Sequence, residues 1–164
     1  MRLVVCAMAA AWILVPGAVA RADVAPPEVG AGCAAELADA MTLLLDVVNP
    51  DQINYVACQQ NGVAFAWTPV QTPFPPNDKW LSYGPSITLH GQGMRNPNLS
   101  SGRWTATPQN PESTCKATET TVIEAGVLAE PQVFEGEQGQ PLTVEMLPRL
   151  FYAELAGDCL WVKA

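Results

Sequence analysis

The last part of the chain, residues 115–161, constrains the fold more than any other stretch. A cysteine opens it, segments rich in Thr, Val and aromatic residues fill it, and Cys159 followed by Trp161 closes it. Short segments of this kind, separated by Gly and Pro, are typical of antiparallel strands. We therefore expect a sheet-forming module that is stapled by one disulfide.

The N-terminus carries the three parts of a secretory signal peptide. Arg2 supplies a positive charge, residues 3–15 form an apolar run of 13 residues, and a Pro-Gly pair with small residues follows. A run of this length is shorter than the roughly 20 residues that span a bilayer as a helix, which disfavours an uncleaved anchor. We predict a signal peptide at residues 1–22, a secreted or cell-wall-associated protein, and no membrane span after cleavage.

Charge narrows the class of partner. The chain has 16 acidic and 8 basic residues and a net charge of −8. Cleavage after Ala22 also removes Arg2 and Arg21, which changes the charge of the mature protein to −10. A surface of this sign repels phosphate backbones, so nucleic acid is not an expected partner.

The cysteine count indicates disulfides. Of the 5 cysteines, Cys6 leaves with the signal peptide, and the even number that remains is typical of a bridged exported protein. Three pairings are open, and we predict Cys33–Cys58 and Cys115–Cys159 because each pair encloses its own compositional segment. A metal site is disfavoured, since the chain has no C-x-x-C spacing and one histidine, and we expect no cofactor.

The first part of the mature chain, residues 23–68, predicts a helical segment with its own disulfide. Residues 33–48 contain no Gly or Pro, and an Asn-Pro pair follows them as a stop. Apolar side chains recur there at helical spacing, at Leu37, Met41, Leu44, Leu45 and Val48. A leucine-rich helical face usually packs into a core, so we expect this helix to cover the sheet.

Two further parts complete the predicted organisation. Residues 69–79 are rich in proline and form either a linker or a strap across the sheet. Residues 80–164 carry short strand patterns with frequent turns, which predict an antiparallel β module. The expected fold class is α+β, a short N-terminal helical segment packed on an antiparallel β-sandwich-like module.

A recurring layout runs through residues 85–163. It consists of GRWTA at 102–106, Cys115, a glycine-bounded strand at 139–144, Phe151, and DCLW at 158–161. This layout resembles the small exported β modules of actinobacteria, and the front half with its own cysteine pair is similar to small secreted mycobacterial proteins of unknown function. The resemblance implies a Cys115–Cys159 bridge and a β-sandwich-like fold, and it implies no biochemical activity. The chain departs from the family in its final spacing, Cys-x-Trp in place of Cys-x-x-Trp.

The sequence contains no evident catalytic constellation. His90 is the sole histidine, and no G-x-S-x-G elbow accompanies Ser100 or Ser101. A hydrolase acting on glycosidic bonds needs two carboxyl groups in one cleft, and the candidate pairs are Glu119 with Glu124 and Glu135 with Glu137. The ordinary interpretation of these acids is a solvated face.

Four aromatic residues are the predicted binding residues: Trp80, Tyr83, Trp104 and Trp161. On an exposed sheet face they would stack on a glycan or dock a protein, whereas in a small sandwich the same rings fill the core. We expect a non-enzymatic exported protein that binds an envelope or extracellular component, either a protein or a glycan. The alternatives are an envelope hydrolase with paired carboxylates and a carrier of an apolar ligand, which a dry cavity between helix and sheet would favour.

Overall fold

The structure is a computed structural model, and it describes residues 26–45 and 53–164. The predicted signal peptide at residues 1–22 and the predicted helix stop at residues 49–50 lie outside these ranges. The described part contains one 3-10 turn, Ala35–Leu37, and twelve strands. The strands are β1 Met41–Leu45, β2 Ile53–Asn61, β3 Ala64–Val70, β4 Lys79–Ser82, β5 Ile87–His90, β6 Gly102–Pro108, β7 Lys116–Glu124, β8 Val127–Leu128, β9 Gln132–Glu135, β10 Leu142–Met146, β11 Leu150–Ala156 and β12 Cys159–Lys163.

The strands form two sheets. One has seven strands in the order β10-β6-β12-β4-β1-β2-β3, and the other has the order β5-β11-β7-β8, with β9 also paired to β7. Neighbouring strands are antiparallel except β1 and β4, which run parallel through the pair Met41 and Trp80. The predicted β-sandwich-like arrangement is thus confirmed, and it includes strands from both ends of the described chain.

The two sheets enclose the main core. Its largest members are Trp80, Trp104 and Trp161, which come from three adjacent strands of the seven-stranded sheet and are fully buried. Side chains that alternate along β11 and β7 meet them from the other sheet, as the period of a half-buried strand requires. The Cys115–Cys159 disulfide lies inside this core with a Cα–Cα distance of 5.8 Å and links the two sheets.

A second, smaller core lies on the outer face of the seven-stranded sheet. Residues 26–40 run across that face, and Leu37 packs there with Val56, Trp67 and Leu81. The backbone of this segment also pairs with β3, since the Gly30 N–H donates to Trp67 O at 2.8 Å and the Trp67 N–H donates to Ala31 O at 2.9 Å. The predicted Cys33–Cys58 disulfide is confirmed and fixes the segment to β2.

The predicted α+β class is wrong, because the described chain is nearly all β. Where residues 33–48 predicted a helix, the structure has a 3-10 turn that ends near Asp39, at φ 64°, and then strand β1. Leu43 on β1 packs into the main core, and Leu44 packs against the outer one. A strand that is buried on both faces has a continuous run of apolar residues in its sequence. Periodicity alone does not distinguish such a run from a helix.

The proline-rich connection forms a strap. Asn98, which is buried, donates from Nδ2 to Pro75 O at 3.1 Å and accepts the His90 N–H at Oδ1 at 3.1 Å. The Phe74 ring stacks on His90 with a centroid distance of 4.6 Å. The strap is therefore held against the end of β5, and the strands on either side of it, β3 and β4, belong to the same sheet.

Candidate functional site

The predicted binding tryptophans are core residues. Trp80, Trp104 and Trp161 each have 0% exposure. Their indole N–H groups are bonded inside the protein, to Asn77 O at 2.9 Å, Ser100 O at 3.0 Å and Ser82 Oγ at 2.9 Å respectively. A ring without accessible surface cannot stack on a glycan, so these three residues hold the sandwich together and offer nothing to a partner in this conformation.

Tyr83, the fourth predicted binding residue, is half-buried and lines a cavity of about 420 Å³. The cavity lies between β1, which contributes Leu43, and the chain from Tyr83 to the first residues of β5. Its wall combines aliphatic groups with the hydroxyls of Ser86 and Thr88. The size and chemistry fit a small apolar ligand, although the cavity is not the helix–sheet cavity that the carrier alternative predicted.

The residues of the predicted carboxylate pairs differ in burial. Glu119 points inward from β7 and is 2% exposed, whereas Glu124, Glu135 and Glu137 are exposed at the surface. Glu135 lies 3.8 Å from Lys116 in an ion pair. Glycosidic hydrolysis requires two carboxyl groups in one cleft, and Glu119 with Glu124 does not provide them, because one is buried and the other is exposed.

Glu119 is nevertheless an unusual carboxyl group. Burial, and to a smaller extent the negative charge of Glu145, raise its pKa from 4.5 to about 7. Its Oε1 atom has no hydrogen-bond partner within the described part of the chain. The proton on this group therefore responds to pH near neutrality, and the physical cause is the apolar interior around it.

A polar clamp that sequence reasoning missed joins Lys163, Ser100 and Asp78. Lys163 Nζ donates to Ser100 Oγ at 2.8 Å, and Ser100 Oγ donates to Asp78 Oδ1 at 2.8 Å. The neighbouring Ser101 N–H is bonded to Gln92 Oε1 at 3.0 Å, so it is not free to stabilise an oxyanion. The clamp fastens the C-terminal strand to the strap, and no sequence pattern indicates it because its members are far apart in the chain.

The clearest exposed feature is a groove of about 500 Å³ between the end of β7 and the β10–β11 turn. We call it the aliphatic groove, and its lining residues are Thr121, Val122, Ile123, Leu147, Pro148 and Arg149. Ile123 is 54% exposed and Leu147 is 43% exposed. On the adjacent hairpin, the exposed Leu128 lies opposite Val122 and extends the apolar surface.

The part of the chain that forms the aliphatic groove is rich in acidic residues. Residues 112–154 contain two basic residues, Lys116, which is paired with Glu135, and Arg149, which lines the groove itself. The same stretch contains eight acids, Glu112, Glu119, Glu124, Glu130, Glu135, Glu137, Glu145 and Glu154. An aliphatic surface inside an acidic field favours a partner that carries both apolar and basic groups.

The sequence did contain a signal for this groove. Val122 and Ile123 are consecutive apolar residues at the end of a strand that otherwise alternates, and Val127 and Leu128 repeat the pattern after Ala-Gly. Successive side chains of a strand point to opposite faces of the hairpin. Two consecutive apolar residues therefore place one apolar side chain on each face. Within residues 26–45 and 53–164, Ile123, Val127 and Leu128 remain exposed, so part of this apolar surface lies in solvent.

Comparisons of this chain with protein-family models, with curated proteins and with solved structures found no match. The disulfide that the resemblance to exported actinobacterial modules implied, Cys115–Cys159, is present. Within residues 26–45 and 53–164, no helix has the length and hydropathy to cross a membrane. In the same ranges, no group of three or more His, Cys, Asp or Glu residues is arranged to hold a metal ion.

Proposed function

We propose that this protein is an exported, non-enzymatic binding protein that docks a polypeptide partner of the cell envelope or extracellular space in the aliphatic groove. The observation that carries the proposal is the exposure of Ile123 and Leu147 in one concave surface. Apolar surface gathered in a groove, unlike scattered apolar residues, marks interaction sites. Trp80, Trp104 and Trp161 are buried and cannot serve as a stacking platform for a glycan, which favours a polypeptide.

The energy available in the groove fits a reversible complex. Full burial of one aliphatic side chain contributes about 1.5–3 kcal/mol, and those lining the groove are already half-buried. Each therefore adds about 1 kcal/mol on docking. The four aliphatic residues together contribute about 4 kcal/mol before the cost of association is subtracted, which fits a weak, reversible complex and not an obligate one.

The location rests on the cysteines and the N-terminal sequence. Two disulfides are consistent with an oxidising, extracellular environment. The predicted signal peptide at residues 1–22 supplies the export route, and the resemblance to actinobacterial modules favours the cell envelope as the destination. All of the cysteines in the predicted mature protein are used in these bridges.

Site-specific photo-crosslinking tests the proposed function. A photoreactive amino acid placed at Ile123 or at Leu147 should capture the same polypeptide from an envelope extract of the producing organism. The matched control position is Val63, which is fully exposed on the β2–β3 turn at the opposite edge of the seven-stranded sheet. The double substitution Ile123→Ser and Leu147→Ser should abolish co-purification of that polypeptide, while Val63→Ser should not. Equal capture at all three positions, or none at the groove, would contradict the proposal.

A carrier of an apolar ligand is the second candidate, because the Tyr83 cavity is the size of a small-molecule site. This function predicts that the folded protein co-purifies with an extractable lipid or other apolar compound. Widening or filling the cavity with Thr88→Ala or Ser86→Leu should then change the amount of bound compound. Substitutions in the aliphatic groove should leave it unchanged, so the two functions are separable.

A further inference from the structure

We infer that the partner of the aliphatic groove presents an extended segment in which apolar and basic residues alternate, and that this segment adds as a strand to the open edge of β10. The inference rests on the proposed function and specifies the chemistry of the partner. It is carried by three observations: an unpaired strand edge, its continuity with the groove, and the charge around it.

The seven-stranded sheet has one covered edge and one open edge. At the β3 end, the backbone of residues 30–33 forms hydrogen bonds with the backbone of Phe65 and Trp67, so these outward-facing groups of β3 have partners. At the other end, β10 pairs with β6 through five residues, from Leu142 to Met146. No hydrogen bond from elsewhere in the described chain reaches the backbone of these five residues. Alternate N–H and C=O groups of an edge strand point away from its neighbour, which makes the edge a template for another strand.

The open edge leads directly into the aliphatic groove. β10 ends at Met146, and the next residue, Leu147, lines the groove. Val144 and Met146 point into the core, while Thr143 and Glu145 are exposed on the outer face. Side chains of an added strand would follow the same alternation. Its inward side chains would extend the core beyond Val144 and Met146, and its outward side chains would lie beside Glu145.

The negative charge of Glu145 favours some of the molecules that could pair with this edge over others. Glu145 is exposed in the middle of the edge, and it lies close enough to Glu119 to raise the pKa of that carboxyl. Its neighbour on β6 is Arg103, on the side away from the open edge. In the antiparallel register that sets Glu145 opposite Glu145, a second copy of this chain would place like charges together, which is unfavourable. A lysine or arginine beside Glu145 is favourable instead.

A synthetic probe tests this inference. The probe is a capped, fluorescently tagged peptide in which Lys and Val alternate, and its control peptides carry Glu in place of Lys or a central Pro in place of Val. We expect the Lys-Val peptide to bind the disulfide-bonded mature protein in a fluorescence anisotropy titration, and each control peptide to bind at least tenfold more weakly. The Pro control removes a backbone donor that a ladder needs. Amide hydrogen exchange at β10 should slow when the Lys-Val peptide binds.

A charge reversal supplies the matched protein control. Glu145→Lys should weaken binding of the Lys-Val peptide about tenfold and improve binding of the Glu-Val peptide. Glu154→Lys makes the same charge change at an exposed position on β11, in the other sheet, and should leave the preference unchanged. Equal effects of the two substitutions would show that peptide binding depends on net charge alone, and this result would overturn the inference.

The remaining outcomes separate the inference from the proposed function. Capture of a polypeptide at Ile123 and Leu147 without any protection of β10 by the Lys-Val peptide would overturn strand addition and leave the proposed function standing. Protection of β10 by the peptide without capture at the groove would refute the proposed function alone. A dimer in sedimentation equilibrium whose formation slows amide hydrogen exchange at β10 would show that a second copy occupies the edge, and it would overturn the inference.

Discussion

Trp161 donates its indole N–H to the hydroxyl of Ser82 at 2.9 Å, and both residues have 0% exposure. The Ser82 hydroxyl donates in turn to Gly157 O at 2.8 Å. This chain of bonds joins β4, the central strand of the seven-stranded sheet, to β12 and to the loop before it. The terminal Cys-x-Trp motif therefore serves the core twice, through the Cys159 disulfide and through the bonded indole of Trp161.

Replacing the serine should show how much this pair stabilises the fold. Ser82→Ala leaves the Trp161 indole N–H buried without a partner, and we expect it to lower the free energy of unfolding by about 1–3 kcal/mol. Denaturant unfolding followed by tryptophan fluorescence measures the change. Ser86→Ala, at a half-buried position on the β4–β5 connection, is the control and should change it by less than about 0.5 kcal/mol. Equal stability of the two variants would contradict the role of Ser82.

The buried carboxyl of Glu119 predicts a pH dependence of stability. Because its folded-state pKa is raised from 4.5 to about 7, its contribution is fully present below about pH 4.5 and is lost as the pH rises through about 7. The slope within this window is at most about 1.4 kcal/mol per pH unit. Glu119→Gln should remove this slope, so the variant gains stability relative to the native protein as the pH rises.

The measurement is the difference in free energy of unfolding between variant and native protein across this pH window. Comparison with the native protein cancels the titration of the other carboxyl groups. Glu124→Gln, at an exposed position on the same strand, is the matched control for the loss of one carboxyl group. A flat difference for Glu119→Gln would show that Glu119 titrates in the ordinary range of a carboxyl group.

The two disulfides should stabilise different parts of the molecule. Their sequence separations are 25 and 44 residues, for which the loop-entropy relation gives about 3–4 kcal/mol each. Replacing Cys115 and Cys159 by Ala removes the link between the sheets, and we expect faster hydrogen exchange throughout both. Replacing Cys33 and Cys58 by Ala should speed exchange mainly in residues 26–40 and in β3. Identical exchange maps for the two double variants would contradict this division.

The predicted leader stays a prediction, and mass spectrometry of the secreted protein decides it. We expect a mature N-terminus at Asp23 and a chain of 142 residues, since cleavage follows Ala22 in the 164-residue sequence. The mature form should contain no thiol that reacts with an alkylating agent under denaturing conditions, because Cys6 is removed with the leader. Retention of residues 1–22, or reactive thiols in the secreted form, would contradict the export prediction.

Local sequence patterns predicted one part of this structure correctly and another part wrongly. The disulfide pairing followed from composition, since Cys33 and Cys58 enclose one segment and Cys115 and Cys159 another. Of the helix expected at residues 33–48, the described part, residues 33–45, is not an α-helix, because Leu43 and Leu44 pack into two different cores on the two faces of one strand. The outer face of β1 is buried only because residues 26–40 pack on that side of the sheet. No local sequence pattern indicates that this segment covers the strand.

The candidate site shows the same limit. Tryptophans on alternating positions of short strands are compatible with a binding face or with a core, and the choice depends on which sheet packs opposite them. The exposure of Ile123 and Leu147 likewise depends on the absence of a covering element in the described structure at that end of the sandwich. For Glu119, alternation along β7 places the carboxyl inward, but its raised pKa requires the apolar surroundings that the opposite sheet supplies.

The sequence by itself determined the acidic charge and the even number of cysteines after cleavage, and it predicted the strands of the C-terminal half, because these depend on residue chemistry and short-range period. Only the tertiary structure decided that Met41–Leu45 is a strand, that the tryptophans are core, and that β10 has an open edge. The physical reason is that burial and strand pairing are set by residues distant in the chain. A side chain's role then follows from what packs against it.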